Sequence, residues 1–360
     1  MFLDSSPDRW GQTLMKRREA LDAKDQGRKA RQLHAWDYLI GVQDSTRQGA
    51  LRFKVHDTDH YLCNDKLAAP PVTSLGELAS VALSLSARHA DDMAPLHRWL
   101  SVLLAPGASL GGARPKANFK EVDGSLWIAK FPSADDDRDI GAWEGVTHAL
   151  AQAAMVDVPV AKTIRLASRR HTFCVQRFDR VAGRRVFFAS AMTMLQKPSS
   201  EGTSYLELAE FLHRNGDPAT LRADLAQLFR RVVFNVAVGN RDDHLRNHGF
   251  LLGAGGWRLA PAFDVNPNID KADHVLNLDD TDNRPDIATV FATADFYGLS
   301  ETEATMILNE VKAATDRWQA VARGAGLNGT DIDSMTTAFS ALDDWPVPLA
   351  LTSTPTQPAL

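Results

Sequence analysis

The spacing of apolar residues along the chain changes near residue 180. Beyond it, apolar positions recur at every third and fourth residue, the period of an amphipathic helix. The segments with this period are residues 204–214, 219–239 and 301–324. Before it, strand-like segments such as 125–132 lie between helical ones. We therefore predict a mixed α/β unit over residues 1–180 and a mainly helical unit over residues 181–345.

The two ends of the chain carry less regular patterns. Residues 11–32 predict an exposed amphipathic helix with seven basic and three acidic side chains. A solvated helix face explains this charge better than contact with DNA or an acidic partner. Residues 50–57 alternate like a strand, and residues 73–87 predict a helix begun by a capping Ser or Thr. Residues 346–360, rich in Pro and Thr, are expected to form a flexible tail.

Composition and charge narrow the class of protein. A length of 360 residues suits about two domains, and 44% hydrophobic residues suffice for ordinary cores. The formal net charge of −5 excludes the global basic field of a stand-alone nucleic-acid binder. The two cysteines, Cys63 and Cys174, lack the spacing of a disulfide framework or a zinc module. Without a basic and apolar leader or a long apolar run, we expect a cytoplasmic protein that does not associate with membranes.

A run of short polar side chains, NVAVGNRDDHLRNHGF, follows the second helical segment of the C-terminal half. Asp242 precedes Asn247 by five residues, and Asp264 follows seventeen residues later. Protein kinases use the Asp-to-Asn spacing in their catalytic loop. Phosphoryl transfer needs a carboxylate to accept a hydroxyl proton and oxygen ligands to hold Mg²⁺. We therefore predict Asp242 as catalytic base, and Asn247 and Asp264 as catalytic Mg²⁺ ligands.

Two other interpretations of this run remain open. Asn and Asp favour helix caps and turns, so the residues could serve a polar connection alone. His244 and His248 have the spacing of zinc ligands on a helix, with Asp264 as a third ligand. However, Leu245 stands where the H-E-x-x-H signature has its Glu. We expect His244 to orient the loop through hydrogen bonds and His248 to be exposed.

The parts of a nucleotide site precede this run. Three glycines of a Gly-rich loop allow backbone N–H groups to approach phosphate oxygens: Gly107, Gly111 and Gly112. Lys130 follows on a predicted strand, where burial is costly unless the ammonium group meets an anion, although an edge lysine could also extend into solvent. Glu144, on the next predicted helix, could pair with Lys130 or remain exposed.

The linear order of these features is that of a bilobal protein kinase. The segment VQRFDR could form the hinge between two lobes, which assigns Gln176 and Phe178 to the nucleotide site. The chain has no G-x-x-x-x-G-K-[ST] motif, so the order is not that of a P-loop protein. We predict an α+β, bilobal protein-kinase-like fold with a smaller mixed α/β N-terminal lobe and a mainly helical C-terminal lobe, and with ATP and Mg²⁺ as cofactors.

Five motifs, taken in order, resemble the HipA family of bacterial serine/threonine kinases, the toxins of type II toxin–antitoxin systems. They are SLGGARPKA, WIAKFPS, VQRFDR, GNRDDHLRNHGF and LAPAFDVNP. The resemblance covers roughly residues 100–290. It implies that Asp242 is the base and that Lys130 contacts the ATP phosphates. It also implies that Ser109 is autophosphorylated, which displaces the Gly-rich loop and prevents ATP binding.

The resemblance also implies partners. Family toxins phosphorylate a protein, in known cases an aminoacyl-tRNA synthetase, and are held by a small helix-turn-helix antitoxin that binds operator DNA. We therefore expect a growth-inhibiting kinase with a protein substrate and a HipB-like antitoxin, and contact with DNA only through that antitoxin. Two alternatives are a non-catalytic corepressor or scaffold with a kinase-like fold, and a small-molecule phosphotransferase.

Overall fold

Eleven α-helices and nine strands form within the residues that the structure, a computed structural model, describes: 2–63, 69–86, 114–166 and 168–345. The helices are α1 (Arg9–Asp25), α2 (Ala35–Ile40), α3 (Leu75–Ser86), α4 (Ile140–Ala153), α5 (Ala191–Met194), α6 (Tyr205–Asn215), α7 (Leu221–Ala237), α8 (Ile287–Ala292), α9 (Glu301–Thr315), α10 (Trp318–Gly324) and α11 (Gly329–Ser334). The strands are β1 (Lys116–Lys120), β2 (Leu126–Lys130), β3 (Ala161–Arg165), β4 (His171–Gln176), β5 (Arg180–Val181), β6 (Arg184–Arg185), β7 (Phe187–Ser190), β8 (Gly249–Leu252) and β9 (Trp257–Leu259).

Strands β1 to β4 form an antiparallel sheet in the order β1-β2-β4-β3. Apolar side chains of this sheet, including Phe119 and Trp127, form one cluster with Trp10 of α1 and Leu78 of α3. Full burial of each such side chain contributes about 1.5–3 kcal/mol. The cluster therefore fixes the N-terminal helices to the sheet that carries Lys130.

A larger hydrophobic cluster surrounds α7. Leu228 and Val232 of this helix are fully buried, and α6, α9 and the sheet β7-β8-β9 pack around it. Helix α4 contributes Trp143 and Leu150 to the same cluster and also packs against β3 and β4. The chain therefore has a mixed α/β fold, in which packing crosses residue 180 through α4.

A buried arginine ties the N-terminal segment to the end of β4. Arg177 donates hydrogen bonds to both carboxylate oxygens of Asp179, at 2.8 and 2.6 Å, and to the carbonyl oxygen of Thr46 at 2.5 Å. Asp179 in turn accepts a 2.7 Å hydrogen bond from the backbone N–H of Gly49. Because buried charges are costly unless paired, this network holds residues 44–49 against the connection that follows β4.

The strand predicted at residues 50–57 is absent, so that prediction is wrong. Its alternation arises instead from individual side-chain contacts. Arg52 pairs with Asp44 at 2.5 Å, and the Phe53 ring lies 6.2 Å from that of Phe2. A period of two indicates a strand only where a neighbouring strand is present to pair with it.

The helical predictions are confirmed with shifted ends. Residues 204–214 and 219–239 correspond to α6 and α7, whereas residues 301–324 form two helices, α9 and α10. Helix α1 ends before residue 32 because Gly27 adopts a left-handed conformation and the Arg28 N–H donates to the carbonyl of Ala23. The predicted tail, 346–360, lies outside the described residues. Among the helices that are described, none has the length and apolar character needed to cross a membrane.

Candidate active site

Lys130 is held between two carboxylates from different parts of the chain. It ends β2, and its ammonium group pairs with Glu144 of α4 and with Oδ1 of Asp264, 2.5 Å away. The Lys130 side chain is 14% exposed and that of Glu144 is 5% exposed. The structure thus brings Lys130 and Glu144 together and adds Asp264 to the pair, rather than extending the lysine into solvent.

The three groups shift one another's pKa values. Burial alone would lower the pKa of Lys130, but the carboxylates of Asp264 and Glu144 outweigh it and raise that pKa above its usual value. Burial raises the pKa of Glu144, and Lys130 offsets this only in part. Burial also opposes ionisation of Asp264, yet the positive charges of Lys130 and Lys116 hold its pKa below the usual range. The site therefore favours a charged Lys130 paired with a charged Asp264.

Asp264 has an unusual backbone conformation. Its φ of 61° lies in the left-handed region, which Asp tolerates better than most residues. The next residue is fixed to α4, because the hydroxyl of Thr147 donates a 2.7 Å hydrogen bond to the carbonyl of Val265. Surrounding contacts therefore hold Asp264 in a conformation that an isolated chain would rarely adopt.

The loop after α7 begins at Gly239. This residue has a φ of 61°, and a Cβ there would lie 2.6 Å from the carbonyl oxygen of Ala338. Only glycine fits both constraints. Backbone hydrogen bonds then shape the loop, from Asn240 N–H to the Asn235 carbonyl and from Asn247 N–H to the His244 carbonyl, at 2.8 and 2.7 Å. The polar run therefore forms a turn that is anchored on the C-terminal end of α7.

A buried network lies behind this loop. The Asp243 carboxylate accepts a hydrogen bond from Tyr205 at 2.6 Å and from Asn235 at 2.8 Å, and lies 2.6 Å from Nε2 of His248. Burial alone would raise the pKa of Asp243, but the His248 ring and these hydrogen bonds hold it below the usual value. His248 is 3% exposed, so the expectation that it is exposed is wrong. Its place beside Asp243 gives it a structural partner.

The zinc interpretation requires His244, His248 and Asp264 to converge on one ion. His248 lies beside Asp243 instead. In the part of the chain that the structure describes, no group of three His, Cys, Asp or Glu side chains is arranged to hold a metal ion. The ligand set of that interpretation is therefore not assembled.

Asp242 and Asn247 share a cleft with Lys130, Glu144 and Asp264. The remaining described residues that line it are Arg114, Lys116, Ile140, Asn240, His244 and Asn266. The Oδ1 atoms of Asn247 and Asn266 are buried there without a hydrogen-bond partner among the described residues. Unsatisfied amide oxygens beside a carboxylate are hard donors of the kind that Mg²⁺ prefers. Asn247 and Asp264 therefore suit a Mg²⁺ ion.

A second, more apolar cavity adjoins this cleft and shares Lys130, Glu144 and Asp264 with it. Its walls include Gln176, the last residue of β4, and Phe178, two residues beyond it. Its apolar wall is formed by Ile128, Phe173, Val175, Val158, Ala262, Phe263 and Val265. A flat apolar group could lie in this cavity while its charged end reaches Lys130.

Three residues in or beside the cleft and the apolar cavity were not predicted from the sequence. Lys116 lies directly opposite Lys130 in the β1–β2 register and therefore on the same face of the sheet. Lys271 pairs with Asp242, and Gln48 of the N-terminal segment lines the apolar cavity. The pattern of the β1–β2 hairpin could have indicated Lys116. Lys271 and Gln48 reach their positions through long-range packing, which no local pattern in the sequence shows. The predicted loop residues, namely Gly107, Ser109, Gly111 and Gly112, lie outside the described residues.

Comparison with known proteins identifies similar chains. The family model described as the HipA-like C-terminal domain matches residues 108–318. A protein of Sinorhizobium fredii (strain NBRC 101917 / NGR234), named “Putative kinase Y4mE”, is 28% identical over 184 residues. The match covers 44% of this chain and 41% of that protein. The chain therefore matches less than half of this relative's length.

Two solved structures are also similar. A chain of the Shewanella oneidensis MR-1 toxin–antitoxin complex of HipA, HipB and its operator DNA superimposes with a TM-score of 0.61 at 17% identity, over 92% of this chain and 84% of that one. The Helicobacter pylori proinflammatory kinase CtkA gives a TM-score of 0.45 at 15% identity, over 65% of this chain and 88% of that one. The first likeness shows a shared fold.

Proposed function

The chain belongs to the family of the HipA-like C-terminal domain, and from that membership and the geometry of the cleft we propose that it is an ATP- and Mg²⁺-dependent serine/threonine protein kinase. One observation carries the proposal. Lys130 and Glu144 form a buried ion pair, Asp264 joins it with a side chain that is 33% exposed, and Asp242 and Asn247 line the same cleft. These five side chains supply the cation, the metal ligands and the base that phosphoryl transfer requires.

The adjoining cavity supports ATP as the phosphate donor. Its apolar walls suit a purine base, with Gln176 and Phe178 at the predicted hinge. Lys130 stands where this cavity meets the polar cleft, so its ammonium group can bind phosphate oxygens in place of the Asp264 carboxylate. Glu144 then keeps Lys130 in position while Asp264 becomes available for a metal ion.

Asn247 and Asp264 would hold Mg²⁺, which when bound neutralises negative charge on the ATP phosphates. Asn247 offers a buried amide oxygen that lacks a partner among the described residues. Asp264 offers a carboxylate whose pKa is held below its usual range, so it is charged at neutral pH. Both side chains are fixed by backbone contacts of their own segments, which limits the reorganisation that binding demands.

Asp242 is the proposed base. Its side chain is 56% exposed, so a hydroxyl group of another protein can reach it. In this role the carboxylate orients the acceptor serine or threonine and takes its proton as the oxygen attacks phosphorus. His244 also lines the cleft, but its Nδ1 is buried without a hydrogen-bond partner among the described residues, so the orienting hydrogen bond expected from the sequence is not formed there.

The proposal extends to the arrangement of the chain. The sheet β1–β4 with α1 and α3 would belong to a smaller mixed α/β N-terminal lobe, residues 1–180, and the cluster around α7 to a helical lobe, residues 181–345. Gly107, Gly111 and Gly112 would cover the ATP phosphates. Ser109, between them, would be an autophosphorylation site, and its phosphate would repel ATP.

Family membership also supports a physiological role. The Shewanella oneidensis complex contains HipA, HipB and operator DNA. We propose that the present chain likewise binds a HipB-like helix-turn-helix antitoxin and contacts DNA only through that antitoxin. The chain would then act in the cytoplasm as a growth-inhibiting toxin that phosphorylates a protein, with an aminoacyl-tRNA synthetase as the first candidate target.

Transfer of labelled phosphate from γ-labelled ATP tests the proposal. Purified protein is incubated with Mg²⁺ or EDTA, alone and with dephosphorylated casein as a general acceptor. Label that enters serine or threonine only in the presence of Mg²⁺ supports the kinase. ATP binding without turnover would favour a non-catalytic corepressor. Label found only on small molecules added as a cell extract filtrate would favour a small-molecule phosphotransferase.

A further inference from the structure

The geometry points to Lys271 as a positioning residue that holds Asp242 for the phosphoryl transfer, an inference that rests on the proposed function. The Lys271 ammonium group pairs with Oδ1 of Asp242, which leaves Oδ2 for an acceptor hydroxyl. The Asp242 side chain is 56% exposed, so core packing does not fix its orientation. A base on a flexible exposed side chain needs such a contact to remain aligned.

The backbone of Lys271 is itself fixed to the catalytic loop. Three residues before it, Asn268 donates its backbone N–H to the carbonyl of Gly239 at 2.8 Å. The side-chain oxygen of Asn268 accepts hydrogen bonds from the N–H groups of Asp270 and Lys271, at 2.9 and 3.1 Å. Arg241, the residue before Asp242, donates a 2.8 Å hydrogen bond to the Lys271 carbonyl. Lys271 thus approaches the base from a segment that is clamped to the same loop.

A further contact ties this segment to the residues before α4. Arg138 binds both carboxylate oxygens of Asp270 at 2.9 and 2.8 Å. Arg138 lies shortly before α4, the helix that carries Glu144. The turn at residues 268–271 therefore connects the two sides of the proposed active site, with Lys271 on the side of the base.

Stability does not account for this arrangement. The Lys271 side chain is 43% exposed, and ion pairs between exposed side chains contribute little to folding. An exposed lysine also loses conformational freedom when it is held in one geometry. What the ion pair does is orient Asp242 and place a positive charge beside its carboxylate.

In the transfer step, the acceptor oxygen forms a bond to the γ-phosphorus of ATP, the bond from phosphorus to the ADP oxygen breaks, and the hydroxyl proton passes to Asp242. Lys271 acts through Asp242, so its loss should affect the transfer rather than the binding of ATP. An arginine at this position can make the same ion pair, whereas a methionine has similar length without charge.

Phosphoryl-transfer kinetics of three variants test the inference, with γ-labelled ATP, Mg²⁺ and casein as the probe acceptor. Lys271→Met should lower kcat roughly ten- to a hundredfold while the KM for ATP changes less than about twofold. Lys271→Arg should restore kcat to within about threefold of the wild type. Lys162→Met, which removes a comparably exposed lysine paired with Glu121 on the sheet, is the matched control and should leave kcat unchanged.

The outcomes separate this inference from the proposed function. If the wild type transfers phosphate and Lys271→Met transfers it equally fast, Lys271 has no positioning role although the kinase stands. If Lys271→Arg is as slow as Lys271→Met, the ion pair is not what matters, and the inference is again overturned. A wild type that transfers no phosphate to itself or to casein would refute both, since there would be no transfer for Lys271 to support.

Discussion

The Nζ atom of Lys130 lies 2.5 Å from Oδ1 of Asp264, although 134 residues separate the two in sequence. The pair joins the four-stranded sheet to the segment after β9, and Glu144 of α4 completes it. Nucleotide and metal binding would separate Lys130 from Asp264, since each group is needed by a different ligand. The pair therefore keeps the site charged and ordered before ATP arrives.

Removal of the Lys130 charge should destabilise the protein. Lys130→Met leaves Glu144 and Asp264 close together without a cation, and loss of one partner from a buried pair costs about 3 kcal/mol or more. Urea unfolding at pH 7 measures this. Lys162→Met removes a more exposed pair and should cost less than about 1 kcal/mol. Equal free energies of unfolding for the two variants would show that the Lys130 pair is not a buried one.

Asn247 should determine the dependence on Mg²⁺. A non-hydrolysable ATP analogue with Mg²⁺ should stabilise the protein against unfolding. Asn247→Leu removes the buried amide oxygen, so the Mg²⁺ concentration that gives half of this stabilisation should rise about tenfold or more. Thermal unfolding over a Mg²⁺ titration gives this midpoint. Asn309→Leu removes another buried amide oxygen without a partner among the described residues, on α9, and serves as control. A midpoint that moves equally in both variants would remove Asn247 from the metal site.

His274 should make stability depend on pH in the acid range. Burial lowers the pKa of His274 from 6.5 to about 4, so the unfolded chain binds its proton first as pH falls. Above pH 6.5 this histidine does not reduce the free energy of unfolding. As the pH falls towards 4, protonation of the unfolded chain lowers that free energy by up to about 3 kcal/mol. In denaturant titrations, His274→Phe should therefore lose less stability than the wild type over this range. Above pH 7 the two proteins should have the same slope, and parallel curves down to pH 4 would contradict the buried neutral histidine.

The sequence allowed the prediction of the residues whose roles depend on local order. Asp242, Asn247 and Asp264 follow from spacing within one polar run and the segment after it, and the structure places all three in one cleft with Lys130. The helices of the second half follow from their apolar period, which their packing around α7 requires. Such features need no knowledge of distant contacts.

Residues whose environment depends on distant contacts were not predictable. His248 directly follows Asn247 of the cleft, yet it is buried because its ring packs against Tyr205 and its Nε2 lies beside the Asp243 carboxylate. Lys271 reaches Asp242 only because Asn268 fixes its turn on Gly239. Residues 50–57 alternate without a partner strand, so their pattern indicated an element that tertiary structure does not support.

We would test Asp242 as the catalytic base by intact-mass and peptide mass spectrometry of the protein incubated with ATP and Mg²⁺, beside Asp242→Asn. The amide cannot accept a proton, and Asp242 is exposed, so the variant should fold and bind ATP as the wild type does. Asp316→Asn, which alters an exposed aspartate paired with Lys312, controls for loss of surface charge. We expect added phosphate, with Ser109 as its site, in the wild type and in Asp316→Asn but not in Asp242→Asn. Equal phosphorylation of Asp242→Asn would contradict the assignment of the base and the mechanism built on it.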